Sequence, residues 1–175
     1  SHDASACRLG ASSELGRHLI THADVLEEIT RDPVRLSRDE ICDDLLEVVG
    51  AHKEGEFTVA GTPTGPASDR LRLANRRHLV RIASRDVSAD DPTEIIEDVA
   101  AELADLADGI VTAALALARA DCPDHADVRL AIIAMGKCGA QELNYISDVD
   151  VMYVAEPAND DVSGASAVTI ATKLA

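Results

Sequence analysis

The chain has 175 residues, enough for one ordinary domain or two small ones with a real hydrophobic core. Apolar residues make up 46% but aromatics only 2%, with no Trp, so Ala, Leu, Val and Ile must fill a globular interior of packed helices. With 32 acidic against 16 basic residues the formal charge is -16, which disfavours nucleic acid as a partner; no apolar run reaches membrane-spanning length and no secretory signal opens the chain, so a cytoplasmic protein is expected.

In chain order, Leu15, Leu19, Ile20, Leu26 and Ile29 recur at helical spacing and predict an amphipathic helix over 12–30. Ser37-Arg38-Asp39-Glu40 has the form of a capping box ahead of Ile41, Leu45, Leu46 and Val49, and Gly50 is placed to end that helix. Residues 51–66 hold Gly55, Gly61, Pro63, Gly65 and Pro66 without an apolar period, and read as a flexible connection. Over 69–85, Leu71, Leu79, Val80 and Ile82 can face inward while Arg70, Arg72, Arg76, Arg77, Arg81 and Arg85 stay solvated.

Asp91-Pro92-Thr93-Glu94 combines a capping carboxylate, a first-turn proline and an acid at the positive helix end. From there Ile95, Val99, Leu103, Leu106, Ile110, Ala113 and Leu117 trace one apolar face, until the stretch 121–124 interrupts it. The nearly continuous apolar run 128–135 predicts a buried strand ending at Gly136, and Val149, Val151, Tyr153 and Val154 predict a second. Residues 163–175 read as a helix. The fold class is therefore α+β, mostly α, with a helical region over 1–126 and a sheet-bearing segment over 127–175.

Cys7, Cys42, Cys122 and Cys138 are scattered, with no C-x-x-C pair, so free and mostly buried thiols are expected. His18 and His22 lie four apart on one predicted helix but have no third ligand, and His52, His78 and His125 have ordinary surroundings.

Chemistry concentrates between the two strands. Gly136-Lys137-Cys138-Gly139 follows a strand, so its backbone N–H groups can approach a phosphate while Lys137 adds positive charge; alone, this is also what a structural turn looks like. In Ser147-Asp148-Val149-Asp150 the carboxylates are two apart, which on a strand puts both on one face, with the valines turned to a core. Two such anions suit Mg²⁺, although alternating acid and valine also describes the solvent side of an edge strand. The order strand, glycine turn, acidic strand favours phosphoryl transfer.

The run Gly136-Lys137-Cys138-Gly139-Ala140-Gln141-Glu142-Leu143-Asn144 followed by Ser147-Asp148-Val149-Asp150 resembles the signature of the glutamine synthetase adenylyltransferase/adenylyl-removing enzymes, which belong to the polymerase-β-like nucleotidyltransferases. Cys138 stands where Leu is more usual and Ala140 where Gly often aligns. The likeness continues upstream in Leu9-Gly10-Ala11-Ser12-Ser13, in the arginine-rich stretch 76–87, and in Leu103-Ala104-Asp105-Leu106-Ala107-Asp108, which is similar to the first, adenylyl-removing half of these duplicated enzymes.

The resemblance implies that residues 127–175 begin a nucleotidyltransferase domain. It assigns Asp148 and Asp150 to catalysis and to Mg²⁺, and Gly136, Lys137, Gly139 and Ser147 to nucleotide and phosphate binding. It also implies a third carboxylate from a later strand, which the sequence does not reach before Ala175, so the fragment alone is expected to be inactive. Implied partners are glutamine synthetase bearing an adenylylated tyrosine, ATP, ADP or AMP, phosphate, and a PII-type signalling protein. Two other readings remain: a non-catalytic helical module that binds glutamine synthetase or a regulator, and a nucleotidyltransferase with another acceptor.

Overall fold

The computed structural model describes residues 34–62 and 64–175; the helix expected over 12–30, with His18 and His22, and Cys7 lie outside the described residues. Helix α1 (Arg38–Val48) starts where the capping box places it. The Ser37 hydroxyl accepts from the Glu40 N–H at 3.3 Å, and the Glu40 carboxylate accepts from the Ser37 N–H at 2.8 Å. Gly50, at φ +64, ends the helix by donating its N–H to Glu47 O at 2.9 Å.

Where a flexible connection is expected, residues 51–60 form an antiparallel hairpin of β1 (Ala51–Glu54) and β2 (Phe57–Ala60), turning at Gly55 with φ +61. Strands of four residues are too short to show a clear alternation in sequence, and only Val59 and Ala60 of this pair are buried. Arg119 fastens the hairpin to the long helix, stacking 5.2 Å from the Phe57 ring centroid and donating to Thr58 O at 3.3 Å.

Helix α2 (Thr64–Val87) buries Leu71, Val80 and Ile82 as expected, but two of its arginines do not stay in solvent. The side chains of Arg81 and Arg85 are 14% and 15% exposed and pair with Glu102. His78 is likewise buried, bonded to Asp44 across the α1–α2 contact at 2.9 Å. A helix face reads as solvated when its charges have no partner nearby in sequence; here the partners come from helices far along the chain.

Asp91 caps α3 (Pro92–Ala120), accepting from the Thr93 N–H at 2.9 Å. Val99, Leu103, Leu106, Ala113 and Leu117 are buried along it and pack with Ile41, Leu45, Leu71 and Ile82 into one three-helix core. Gly109 lets α1 pack tightly against α3, because a Cβ there would lie 2.8 Å from Leu45 Cδ1.

A single 3₁₀ turn (His125–Asp127) leads into β3 (Val128–Ala134), which pairs antiparallel with β4 (Val151–Pro157), Val128 opposite Pro157 and Ala134 opposite Val151. The expected fully buried strand is found instead to be covered on one side. Leu130, Ile132 and Ala134 face the helices, while Arg129, Ala131 and Ile133 are exposed, because helices back only one face of the pair. Ser163 caps α5 (Gly164–Leu174), whose Ala167, Ile170, Ala171 and Leu174 form a second small core with Cys122, Val128 and partly buried Leu130 and Ala155. Cys42, Cys122 and Cys138 are free thiols, the last two buried. No described helix is long and apolar enough to cross a membrane. The architecture is α+β and mainly helical, as the sequence predicts.

Candidate functional site

Directly after β3, residues Gly136–Gly139 make one helical turn, α4, and each glycine has its own reason. Gly136 sits at φ +52, in the left-handed region that residues bearing a Cβ seldom enter. Gly139 passes so close to the end of β3 that a Cβ would stand 2.4 Å from Ala134 O. Buried Cys138 anchors the turn in the three-helix core, leaving Gly136, Lys137 and Gly139 exposed. The first N–H groups of a helical turn lack partners within it, so this one offers donors to a ligand. No carboxylate pairs with Lys137 among the described residues.

The acidic pair is brought to the same end of the sheet. Asp148 and Asp150 are not within the strand, as the sequence suggests, but in the extended segment that enters it, since β4 starts at Val151 opposite the last residue of β3. One bond continues the ladder: the Met135 N–H donates to Asp150 O at 2.8 Å. That bond holds Asp150 beside the glycine turn, and its Oδ2 lies 3.8 Å from where a Gly136 Cβ would be. Both carboxylates are exposed, and neither forms a hydrogen bond or ion pair with another described side chain.

Ser147, half-buried, uses its hydroxyl within the loop, accepting from the Asn144 N–H at 3.4 Å. The valines are not close-packed as expected. Val149 and Val151 line a cavity of about 240 Å³ between α3 and the inner sheet face, beside Asp108, Thr112, Arg119 and Ile132, and Val149 remains 41% exposed.

Gly136, Lys137, Gly139, Asp148 and Asp150 are thus gathered at one end of the β3–β4 pair, with Ser147 turned into its own loop. Among the described residues no third His, Cys, Asp or Glu joins the two aspartates in a metal-holding group. Sequence reasoning missed two residues between turn and acids: Gln141, at φ +58 and donating from Nε2 to Asp105 Oδ1 at 3.2 Å, and Tyr145, whose hydroxyl donates to Asp86 Oδ2 at 3.0 Å. Both bonds span dozens of residues, and no local spacing signals them.

The chain is therefore a mainly helical α+β protein presenting a glycine turn with the open Asp150 carboxylate beside it and exposed Asp148 two residues upstream. The family model for glutamate-ammonia ligase adenylyltransferase matches residues 10–175, and the chain belongs to that family. Three similar proteins share one description, bifunctional glutamine synthetase adenylyltransferase/adenylyl-removing enzyme. That of Cutibacterium acnes is 93% identical over 99% of this chain and 18% of its own length. That of Streptomyces avermitilis is 46% identical over 95% of this chain and 15% of its own. That of Bifidobacterium longum subsp. infantis is 39% identical over 98% and 17%. The chain spans less than a fifth of the length of these relatives. No solved structure matches it.

Proposed function

We propose that this chain is part of an enzyme that controls glutamine synthetase by removing AMP from, or adding it to, a tyrosine, and that residues 127–175 begin its adenylyl-removing nucleotidyltransferase domain. The family and the names of the relatives support the regulatory role. The observation that carries the site is the exposed, unpaired Asp150 beside the left-handed turn at Gly136, with exposed, unpaired Asp148 two residues upstream of it. Hard oxygen donors without a neighbouring cation fit Mg²⁺, which takes one or two protein carboxylates and completes its shell with water and phosphate oxygens.

In removal, an oxygen of inorganic phosphate attacks the adenylyl phosphorus, the bond to the tyrosine oxygen breaks, and ADP and the free tyrosine leave. Bound Mg²⁺ supplies charge neutralisation on the phosphate oxygens. Asp148 and Asp150 would hold that charge at a fixed place, the N–H groups at the start of the turn would meet the phosphates while the Gly139 N–H closes the turn on Met135 O at 3.0 Å, and Lys137 would add positive charge. Glutamine synthetase, nucleotide and phosphate are the partners, with a PII-type protein as regulator and the cytoplasm as location.

The test is Mg²⁺-dependent ADP or ATP binding by calorimetry. We expect Asp148→Asn and Asp150→Asn each to weaken metal-dependent binding by at least about tenfold. Capture of glutamine synthetase that needs neither nucleotide nor Mg²⁺, and survives both substitutions, would favour the non-catalytic binding module.

A further inference from the structure

Between the glycine turn and the acidic pair, three residues fasten the chain to the helices. The Gln141 amide donates to Asp105 Oδ1 on α3 at 3.2 Å, Leu143 is buried in the three-helix core, and the Tyr145 hydroxyl donates to Asp86 Oδ2 on α2 at 3.0 Å. Asp105 is itself only 5% exposed, with Arg35 Nη2 3.8 Å away. Apart from these ties, the bonds at 146–147 are local: the Ile146 N–H donates to Asn144 Oδ1 at 3.1 Å and the Ser147 N–H to Asn144 O at 3.2 Å.

Two features mark the ties as more than incidental. Gln141 holds a left-handed backbone at φ +58 that glycine would adopt without strain, and strain of this kind persists where a particular contact over-determines it. The Tyr145 hydroxyl donates to Asp86, 59 positions upstream, although the residue as a whole is 44% exposed; desolvation of the phenol, and then the Asp86 charge, raises its pKa above the ordinary value. From Tyr145 the chain reaches Asp148 in three residues, and Asp150 is already pinned at its backbone by Met135.

We propose that Tyr145 and Gln141 are positioning residues, which through Asp86 and Asp105 hold the segment entering β4 so that Asp148 and Asp150 meet one cation. The proposal rests on reading the pair as a divalent-cation site. Such outer contacts fix the direction of the ligands and leave their identity alone. The helical layer thereby takes part in shaping the site, through one bond to α2 and one to α3.

The experiment pairs Mn²⁺ titration by electron paramagnetic resonance with hydrogen exchange of the 175-residue chain. The variants are Tyr145→Phe, Asp86→Ala, their double variant, Gln141→Gly and Asp148→Asn. Tyr145→Phe and Asp86→Ala should each weaken Mn²⁺ binding about tenfold, and the double variant no further, because both remove one bond. Without metal, amides 146–150 should exchange faster in these variants while those of α3 keep their protection. Gln141→Gly should keep its Tm, its left-handed backbone now unstrained, yet bind Mn²⁺ more weakly.

Unchanged affinity and exchange in Tyr145→Phe and Gln141→Gly, with Asp148→Asn abolishing binding, would overturn the positioning role and leave the cation site standing. Affinity that falls only in step with Tm would overturn it too. If neither the unaltered chain nor Asp148→Asn binds Mn²⁺, the cation reading fails, and unchanged exchange at 146–150 then also removes the tether.

Discussion

Glu102 and Arg85 form an ion pair of 2.5 Å in which the carboxylate is fully shielded from solvent. The same carboxylate accepts from Arg81 at 3.0 Å and from the Leu36 N–H at 3.2 Å, so α2, α3 and the segment before α1 meet on one acid. Breaking a buried pair strands the remaining charges. Glu102→Ala is therefore expected to destabilise the fold by about 3–5 kcal/mol. Urea unfolding measures this directly, and a loss under about 1 kcal/mol would mean that the arginines find water instead.

The two glycines of the turn should differ in sensitivity. Gly136→Ala places an ordinary residue at positive φ, where its Cβ meets only Asp150 Oδ2 at 3.8 Å, and should cost about 1–2 kcal/mol. Gly139→Ala drives a Cβ against the backbone oxygen of Ala134, which cannot rotate away. A cost of about 3 kcal/mol and displacement of the turn from β3 are expected, read by denaturation and by Cys138 reactivity.

At the crossing of α1 and α3, Gly109→Ala gains helix propensity of about 1 kcal/mol but pushes a methyl to 2.8 Å from Leu45 Cδ1 and 3.4 Å from Ile41 Cγ2. Both neighbours are fully buried, so overpacking of about 1–3 kcal/mol should win and lower Tm. A rise in Tm would show that Leu45 has room to move.

His78 predicts a pH dependence. Burial is the main cause that holds its pKa below 6.5; the bond to Asp44 opposes this, and the charges of Arg81 and Arg77 add to it. Arg81 can only donate, here to Nδ1 at 3.3 Å, so the ring is neutral with Nε2–H directed at Asp44. With the folded value depressed, its stabilising contribution is complete above about pH 6.5 and is lost as the pH falls through the lower folded value. Thermal melts from pH 8 to 5 should show a steeper loss below 6.5 in the unaltered chain than in His78→Gln. Parallel curves would exclude His78 as a cause.

What the sequence disclosed was local. The Ser37–Glu40 box and the Asp91-Pro92 cap involve residues within three positions of each other, and their helices begin where those signals lie. The glycine turn and the acidic pair were legible as a motif for the same reason. Partners such as Arg85 with Glu102 or Tyr145 with Asp86 depend on how helices pack, and no spacing rule anticipates them. The start of β4 is not local, because pairing decides it: β3 ends at Ala134, so the ladder opens at Val151 although Val149 has equal strand propensity.

A ribbon of two strands has two open edges, and β3 and β4 have no other strand partner among the described residues. Their uncovered side carries Ile133, Met152 and Val154, each 45–48% exposed. Rows of free amide and carbonyl groups flanked by oily side chains are templates for edge-to-edge association. Concentrated solutions of the chain should therefore gain β-structure and light scattering over time, and a lysine at position 154 should slow both.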